Sequence, residues 1–203
     1  MVAVVDYGMG NLRSVAKAIE AAGAEVRVTA RAEDIRAASH IVLPGVGAFG
    51  QCVSNLRATS LVDVLEHEVL QRGKPFLGIC LGMQLLVNRS EESGPEHAGL
   101  GWLAGAARRF ESAPNHKVPH MGWNDVLLGS EADMFRGIRH PVFYFLHSYY
   151  VEFADPRVVA ATCEYGPAFA AAAAHENIWA VQFHPEKSQQ NGLRFLMNFL
   201  SRS

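Results

Sequence analysis

The sequence predicts an α/β fold: a doubly wound, mostly parallel sheet with an antiparallel extension in its second half. Three observations point to it. Short, wholly apolar runs alternate with helical periodicities from residue 2 to about residue 88, the pattern of successive β-α units. Those runs lack polar alternation, as in strands covered on both faces. Beyond residue 100 the helical pattern gives way to closely spaced strands and one last helix. The chain has 203 residues, 49% of them hydrophobic and 19% charged, which suits a globular domain with a substantial core. No linker-like segment divides it, so residues 1–203 are read as one domain.

"VAVVD" (2–6) is the first strand, and "NLRSVAKAIEAAG" the first helix, stopped by Gly23. "EVRVT", "EDIRAA" and "HIVLPG" follow as strand, helix and strand, the last ending at Pro44. Helical patterns fill about 49–72, then "PFLGI" is a buried strand and "LGMQLLVN" a helix. The second half offers "LGWLAGAARRF", "WNDVLL", "VFYFLHSYYVEF", "VVAATCEY", "AFAAAAAH" and "IWAVQFH" as strands, and a closing helix over about 188–201.

The formal net charge of −2 favours neither nucleic acid nor an anionic membrane surface. "MVAVVDYGMG" reads as a strand and turn, not a signal peptide, and no apolar run reaches the length of a membrane span. The three cysteines, Cys52, Cys80 and Cys163, are an odd number without motif spacing, which suggests reduced thiols in a cytoplasmic protein.

"GICLG" places Cys80 between two glycines, where an apolar strand turns into a helix. A sharp turn there would lift the thiol off the carboxyl end of a parallel strand, where open α/β sheets bind ligands. A buried packing cysteine is the alternative. A reactive thiol needs a base, and the base an orienting group. His184 ends "IWAVQF", and Glu186 lies two residues on, so an extended "HPE" would aim both side chains the same way. His40, His67, His97 and His175 lie in polar contexts and read as surface. "LPGVGAFG" (43–50) carries glycines whose backbone N–H groups could face a developing oxyanion. Gln84, one helical turn past Cys80, could contact an amide. "DYGMGNLR" falls short of a dinucleotide fingerprint, with Arg13 at its third glycine position. "HKVPH" (116–120) is a poor zinc site, since Pro119 forbids a regular helix and no third ligand is near in sequence. No metal or cofactor is expected.

On these residues the chain resembles the class I (triad) glutamine amidotransferases. "DYGMGNLRSV", "LPGVGAFG", "GICLGMQLL", "VPHMGWN", "YFLHSYY" and "VQFHPEKSQQNGLRFLMNF" carry the resemblance from residue 6 to residue 199. "GICLGMQ" and "FHPE" are class-wide. "PHMGWN" and "HPEKSQ" narrow it to the glutaminase subunits of the imidazole glycerol phosphate synthases, of histidine biosynthesis. Ala180 departs from the glycine expected before "VQFHPEKS".

The resemblance implies a flavodoxin-like sheet and a triad in which Cys80 attacks the side-chain amide of glutamine. His184 would serve as acid and then base, and Glu186 would hold the imidazole. The N–H of Leu81 and one from Gly45-Val46-Gly47 would form the oxyanion hole. Gln84, Ser148 and Tyr149 would hold the substrate. Ammonia released into neutral water becomes ammonium, which is no nucleophile, so it must pass directly to a second active site. By resemblance that site is a (β/α)8-barrel cyclase subunit, joined as a heterodimer, with Asn11, Trp123, Asn124, Tyr144 and Lys187 on the face that meets it. A chorismate-using partner, a silent binding module on the same fold and a stand-alone cysteine hydrolase are the competing expectations.

Overall fold

The computed structural model describes residues 1–94, 97–113, 116–129 and 132–202. Its first half runs β1 (Val2–Val5), α1 (Leu12–Ala21), β2 (Val26–Thr29), α2 (Ala32–Ala37), β3 (His40–Gly45), α3 (Phe49–Ala58), α4 (Val62–Glu66), β4 (Phe76–Cys80) and α5 (Leu81–Gln84). There follow β5 (Arg89–Ser90), β6 (Gly105–Arg109), β7 (His120–Asp125), β8 (Leu127–Leu128), β9 (Val142–His147) and β10 (Tyr149–Phe153). The chain closes with β11 (Val159–Glu164), β12 (Ala168–His175), β13 (Ile178–Val181) and α6 (Gln189–Leu200).

An eight-stranded sheet has the order β2-β1-β3-β4-β13-β12-β11-β8. Its first five members run parallel, and β12, β11 and β8 continue it antiparallel. Alternate residues of β1, β3, β4 and β13 enter opposite cores, while β2, at the rim, is partly exposed. Val2, Val4, Leu77 and Ile79 join the core that holds Val15 and Ile19 of α1 and Phe195 and Phe199 of α6. Ala3, Val5, Ile41 and Leu43 join the core that holds Ile35 of α2, Phe49 of α3 and Leu65 of α4. Burial on both faces is why these strands read as unbroken apolar runs. Two smaller sheets lie outside: β10-β6-β5, and an antiparallel ribbon of β7 and β9.

Several elements differ from their sequence patterns. β3 pairs on through Pro44 to Gly45, with the Tyr7 hydroxyl donating to the Pro44 carbonyl at 2.8 Å. The helix after Cys80 ends at Gln84, because the carbonyls of Leu85, Leu86 and Val87 accept from Leu100, Leu103 and Gly101 instead of from a following helical turn. Those same bonds hold residues 100–103 as irregular chain, so only Gly105–Arg109 of "LGWLAGAARRF" is strand. "VFYFLHSYYVEF" is two strands in two sheets, parted at Ser148, whose carbonyl accepts from the Phe110 N–H. His40, read as surface, is buried, with Nε2 3.1 Å from the Arg202 carbonyl oxygen. No helix among the described residues is long and apolar enough to cross a membrane.

Candidate active site

Two parallel pairings assemble the site at the carboxyl edge of the sheet. β3 and β4 align Gly45 with Cys80, and β13 and β4 align Val181 with Ile79. The chain leaving β13 therefore emerges beside the chain leaving β4.

Cys80 sits at φ 54°, ψ −108°, a strained conformation for a residue with a Cβ. The flanking glycines do not have left-handed φ; what they supply is room. A Cβ on Gly78 would stand 2.9 Å from the Gly82 carbonyl oxygen, and one on Gly82 would collide with the Leu43 carbonyl oxygen. The elbow packs so closely on β3 that only the bare backbone fits. Gly82→Ala should destabilise the protein by about 3 kcal/mol or more, read from the urea midpoint, because the obstacle is backbone that cannot swing aside.

His184 and Glu186 meet as expected, but through a turn. Pro185–Lys187 is a 3-10 turn, so Glu186 reaches back to its histidine instead of projecting parallel to it from an extended chain. His184 Nδ1 lies 2.8 Å from Glu186 Oε1, and both side chains are almost wholly buried. The His184 N–H donates to the Tyr144 carbonyl, and Ser188 Oγ donates to the His184 carbonyl at 2.6 Å, which fixes the ring's backbone. Burial works against an imidazolium here, but the Cys80 sulfur first and Glu186 second outweigh it and raise His184 to about 10. His184 Nε2 is buried without a hydrogen-bond partner among the described residues. It is the free valence of the pair.

A cavity of about 320 Å³ opens over the sulfur, small for a ligand pocket and of a size for an amino acid. Cys80, His184, Leu81, Val46, Gly47, Gln84, Ser148 and Tyr149 all line it. Gly45 does not; it lies behind the elbow, where a Cβ would stand 2.9 Å from the Gly82 nitrogen, the Leu81 Cβ and the Tyr7 hydroxyl. Lys187, expected on a partner face, lines the cavity too and lies 5.6 Å from the Tyr144 ring centroid. Trp123 stands edge-on to Tyr144 and is 48% exposed, so it is no core residue. With Met121 and Leu146 it forms an exposed apolar face on the ribbon. Asn124, expected on the partner face, alternates with Trp123 and so points to the ribbon's opposite face, half-buried and donating to the Glu164 carbonyl, and Asn11 stands at the N-cap position of α1 without a side-chain capping bond, on the loop leaving β1 at the same sheet edge.

Other lining residues had been given no role at the site: Glu92, whose carboxylate accepts from the Phe49 N–H at 2.8 Å, and Pro119, Leu146 and His147. Gln182 was also missed, although its Nε2 lies 3.6 Å from the Cys80 sulfur. Only the β13–β4 register would have found it. The remaining cysteines contrast with Cys80. Burial pushes the Cys52 thiol up to about 11 and the Cys163 thiol up to about 12. Of the "HKVPH" pair, His116 contacts the Glu111 carbonyl and His120 contacts His147, and no metal-binding group of three occurs among the described residues.

A cysteine elbow facing a histidine–glutamate pair on a doubly wound sheet defines a class, and a family model agrees. The chain belongs to the class I glutamine amidotransferases, whose model matches residues 3–202. It is similar in fold to a crystal structure of a glutamine amidotransferase, with a TM-score of 0.72 at 18% identity over 100% of both chains. It is likewise similar to the structure of PurLQS from Thermotoga maritima, with a TM-score of 0.73 at 18% identity over 98% of this chain and 96% of that one. Within the class it falls in the family of the imidazole glycerol phosphate synthase subunit HisH. It is 50% identical to that subunit of Rhodopirellula baltica, over 98% of this chain and 96% of the relative. To subunit HisH 2 of Pseudomonas aeruginosa it is 44% identical, over 98% of both.

Proposed function

We propose that the chain hydrolyses glutamine to glutamate and ammonia, and passes the ammonia to a cyclase subunit that makes imidazole glycerol phosphate and AICAR in histidine biosynthesis. The observation that carries this reading is the strained Cys80 elbow in a small cavity, with the His184–Glu186 pair behind it. The sulfur, its proton held by His184, attacks the side-chain carbonyl carbon of glutamine. The negative charge gathers on the carbonyl oxygen, toward the N–H of Leu81 and one of the Gly45–Gly47 loop. The C–N bond then breaks as the His184 imidazolium gives its proton to the leaving nitrogen. Ammonia departs and a glutamyl thioester remains on Cys80. Neutral His184 next takes a proton from water as that water attacks the thioester, releasing glutamate and restoring the sulfur. Glu186 holds the ring throughout. Gln84, Ser148 and Tyr149 line the substrate side.

The partner in this reading is a (β/α)8-barrel cyclase, forming a cytoplasmic heterodimer through the outer ribbon face with Trp123 and Tyr144 and through the neighbouring Asn11 and Lys187, while Asn124 points to the other face of the ribbon. The apolar Met121, Trp123 and Leu146 beside the cavity mouth suit such a contact, with ammonia leaving without meeting water. The Val46–Gly47 peptide is built to turn. Gly47 has φ +97°, and the Val46 carbonyl accepts from the Cys52 thiol at a long 3.6 Å. One oxyanion donor is worth about 10²–10³ in rate, so turnover should be low in the isolated chain and rise by that order when cyclase and its phosphoribosyl ligand are added. Glutamate release by the chain, the complex and the liganded complex checks it; equal turnover in all three removes the coupled reading and favours a stand-alone hydrolase.

A further inference from the structure

The ribbon has a second, inward face, and a row of mostly buried polar groups begins there, of which the mechanism above uses only Gln84, for its substrate side. Asn124 Nδ2 lies 3.3 Å from His120 Nε2, His120 Nδ1 lies 3.0 Å from His147 Nε2, and His147 Nδ1 lies 2.8 Å from the Tyr149 carbonyl oxygen. Gln84 Nε2 reaches that same oxygen at 3.0 Å and Gln182 Oε1 at 3.1 Å, and Gln182 Nε2 ends the row 3.6 Å from the Cys80 sulfur.

One atom orients all of it. The Tyr149 carbonyl can only accept, so His147 must carry its hydrogen on Nδ1 and present a bare Nε2. His120 then carries its hydrogen on Nδ1, and its bare Nε2 accepts from Asn124. Asn124 agrees independently, because its Oδ1 is engaged by the Asp125 N–H at 2.9 Å and its Nδ2 by the Glu164 carbonyl at 3.0 Å. On the other side the same carbonyl demands an N–H from Gln84. The second hydrogen of Gln84 turns the Gln182 oxygen toward itself, which leaves the Gln182 N–H groups facing the sulfur. Burial pushes His120 down to about 4 and His147 down to about 3, so both rings are neutral near pH 7, as this tautomer pattern requires. Both hydrogens of Gln84 are spent inside the protein, leaving its oxygen for the cavity.

We propose that Gln182 is a further catalytic residue, donating a hydrogen bond that holds the Cys80 sulfur in its acceptor state, and that His120, His147 and Gln84 are positioning residues that fix the direction of that donor. The donor is wholly buried, so the bond is shielded from water and strongest when the sulfur carries negative charge. The proposal rests on Cys80 as nucleophile, and its test separates the two.

The probe is iodoacetamide, with alkylation of Cys80 followed by peptide mass mapping on the full chain. Gln182→Leu keeps the shape and removes the donor; it should slow alkylation about tenfold, the worth of one hydrogen bond to a charged group. Glutamate release by the complex should fall with it. His147→Phe keeps the ring among Phe110, Phe145 and Phe169 and should slow alkylation several-fold. His147→Asn, whose Nδ2 stands where Nδ1 stood and can still donate to Tyr149, should recover most of that loss. An unchanged alkylation rate in Gln182→Leu overturns the proposal. So does a His147→Asn protein as slow as His147→Phe. If His147→Phe does not fold, Gln182→Leu alone decides. Slower alkylation with glutamate release intact would support the relay and refute the nucleophile assignment instead.

Discussion

Cys80→Ala abolishes glutamate release, by about 10³-fold or more, and leaves the protein folded. Removing a covalent nucleophile removes the reaction path, and what survives is binding and oxyanion stabilisation without an attacking atom. Cys80 is buried at the rim of the core, but the change removes only its sulfur, one atom beside the cavity, and the fold tolerates that. That sulfur has the cavity on one side, and around it stand His184, the Leu146 carbonyl at 3.9 Å and the Gln182 amide. Alanine keeps the Cβ and so keeps the backbone strain; Cys80→Gly relieves it, and should be the more stable of the two inactive proteins. Steady-state glutamate production with the cyclase present, and urea unfolding of both variants, are the measurements. Glutamate release within tenfold of the unaltered protein would rule out Cys80 as nucleophile.

His184→Asn should cost about 10³–10⁴ in turnover, and Glu186→Gln about tenfold to a hundredfold less than that. The asparagine is chosen for its geometry. Its Nδ2 occupies the place of Nδ1 and preserves the bond to Glu186 Oε1, so the glutamate is not left buried and unpaired. Only the Nε2 facing Cys80 is lost, and with it both proton transfers. Glu186→Gln removes charge but leaves an oxygen able to hold the ring. Glu186 raises His184, so losing its charge lowers the pH at which the imidazolium deprotonates from about 10. Thioester formation needs that imidazolium as acid. Its rate in Glu186→Gln should therefore fall away at lower pH than in the unaltered protein, a displacement of the alkaline limb that rapid-quench measurements of thioester formation would detect. Equal severity of the two substitutions would mean that Glu186 does more than orient.

The grouping of Cys80, His184 and Glu186 was legible in the sequence because its signals are local. Cys80 lies between glycines at a strand end, and His184 and Glu186 lie within one turn of each other. The parallel half of the sheet was legible for a similar reason, since burial on both faces imprints each strand separately. The second half was less so. An apolar run such as "VFYFLHSYYVEF" does not show that it serves two sheets, because both of its halves are buried; the break at Ser148 comes from a partner strand elsewhere. The elbow glycines were legible as residues, but their work is clearance, of Gly82 from Leu43 and of Gly78 from Gly82, not a left-handed turn. Gln182, His120 and His147 lie in quoted stretches, but nothing local gave them a place in the site. Their meaning depends on β13 lying beside β4 and on β7 pairing with β9, and both are long-range register facts.

That placement of β13 also governs how the molecule comes into being. The strand that joins the parallel and antiparallel halves comes after all the sheet's other strands in chain order, and it enters the middle of the sheet, not its rim. Until residues 178–181 are available, β4 and β12 each present an unpaired edge, the kind of surface on which neighbouring chains add strands. Closing the sheet brings together segments about a hundred residues apart, a high contact order that slows folding. The same event carries His184 to Cys80. A nascent or half-folded chain thus lacks the histidine, and the capacity to consume glutamine arises only in the step that completes the sheet.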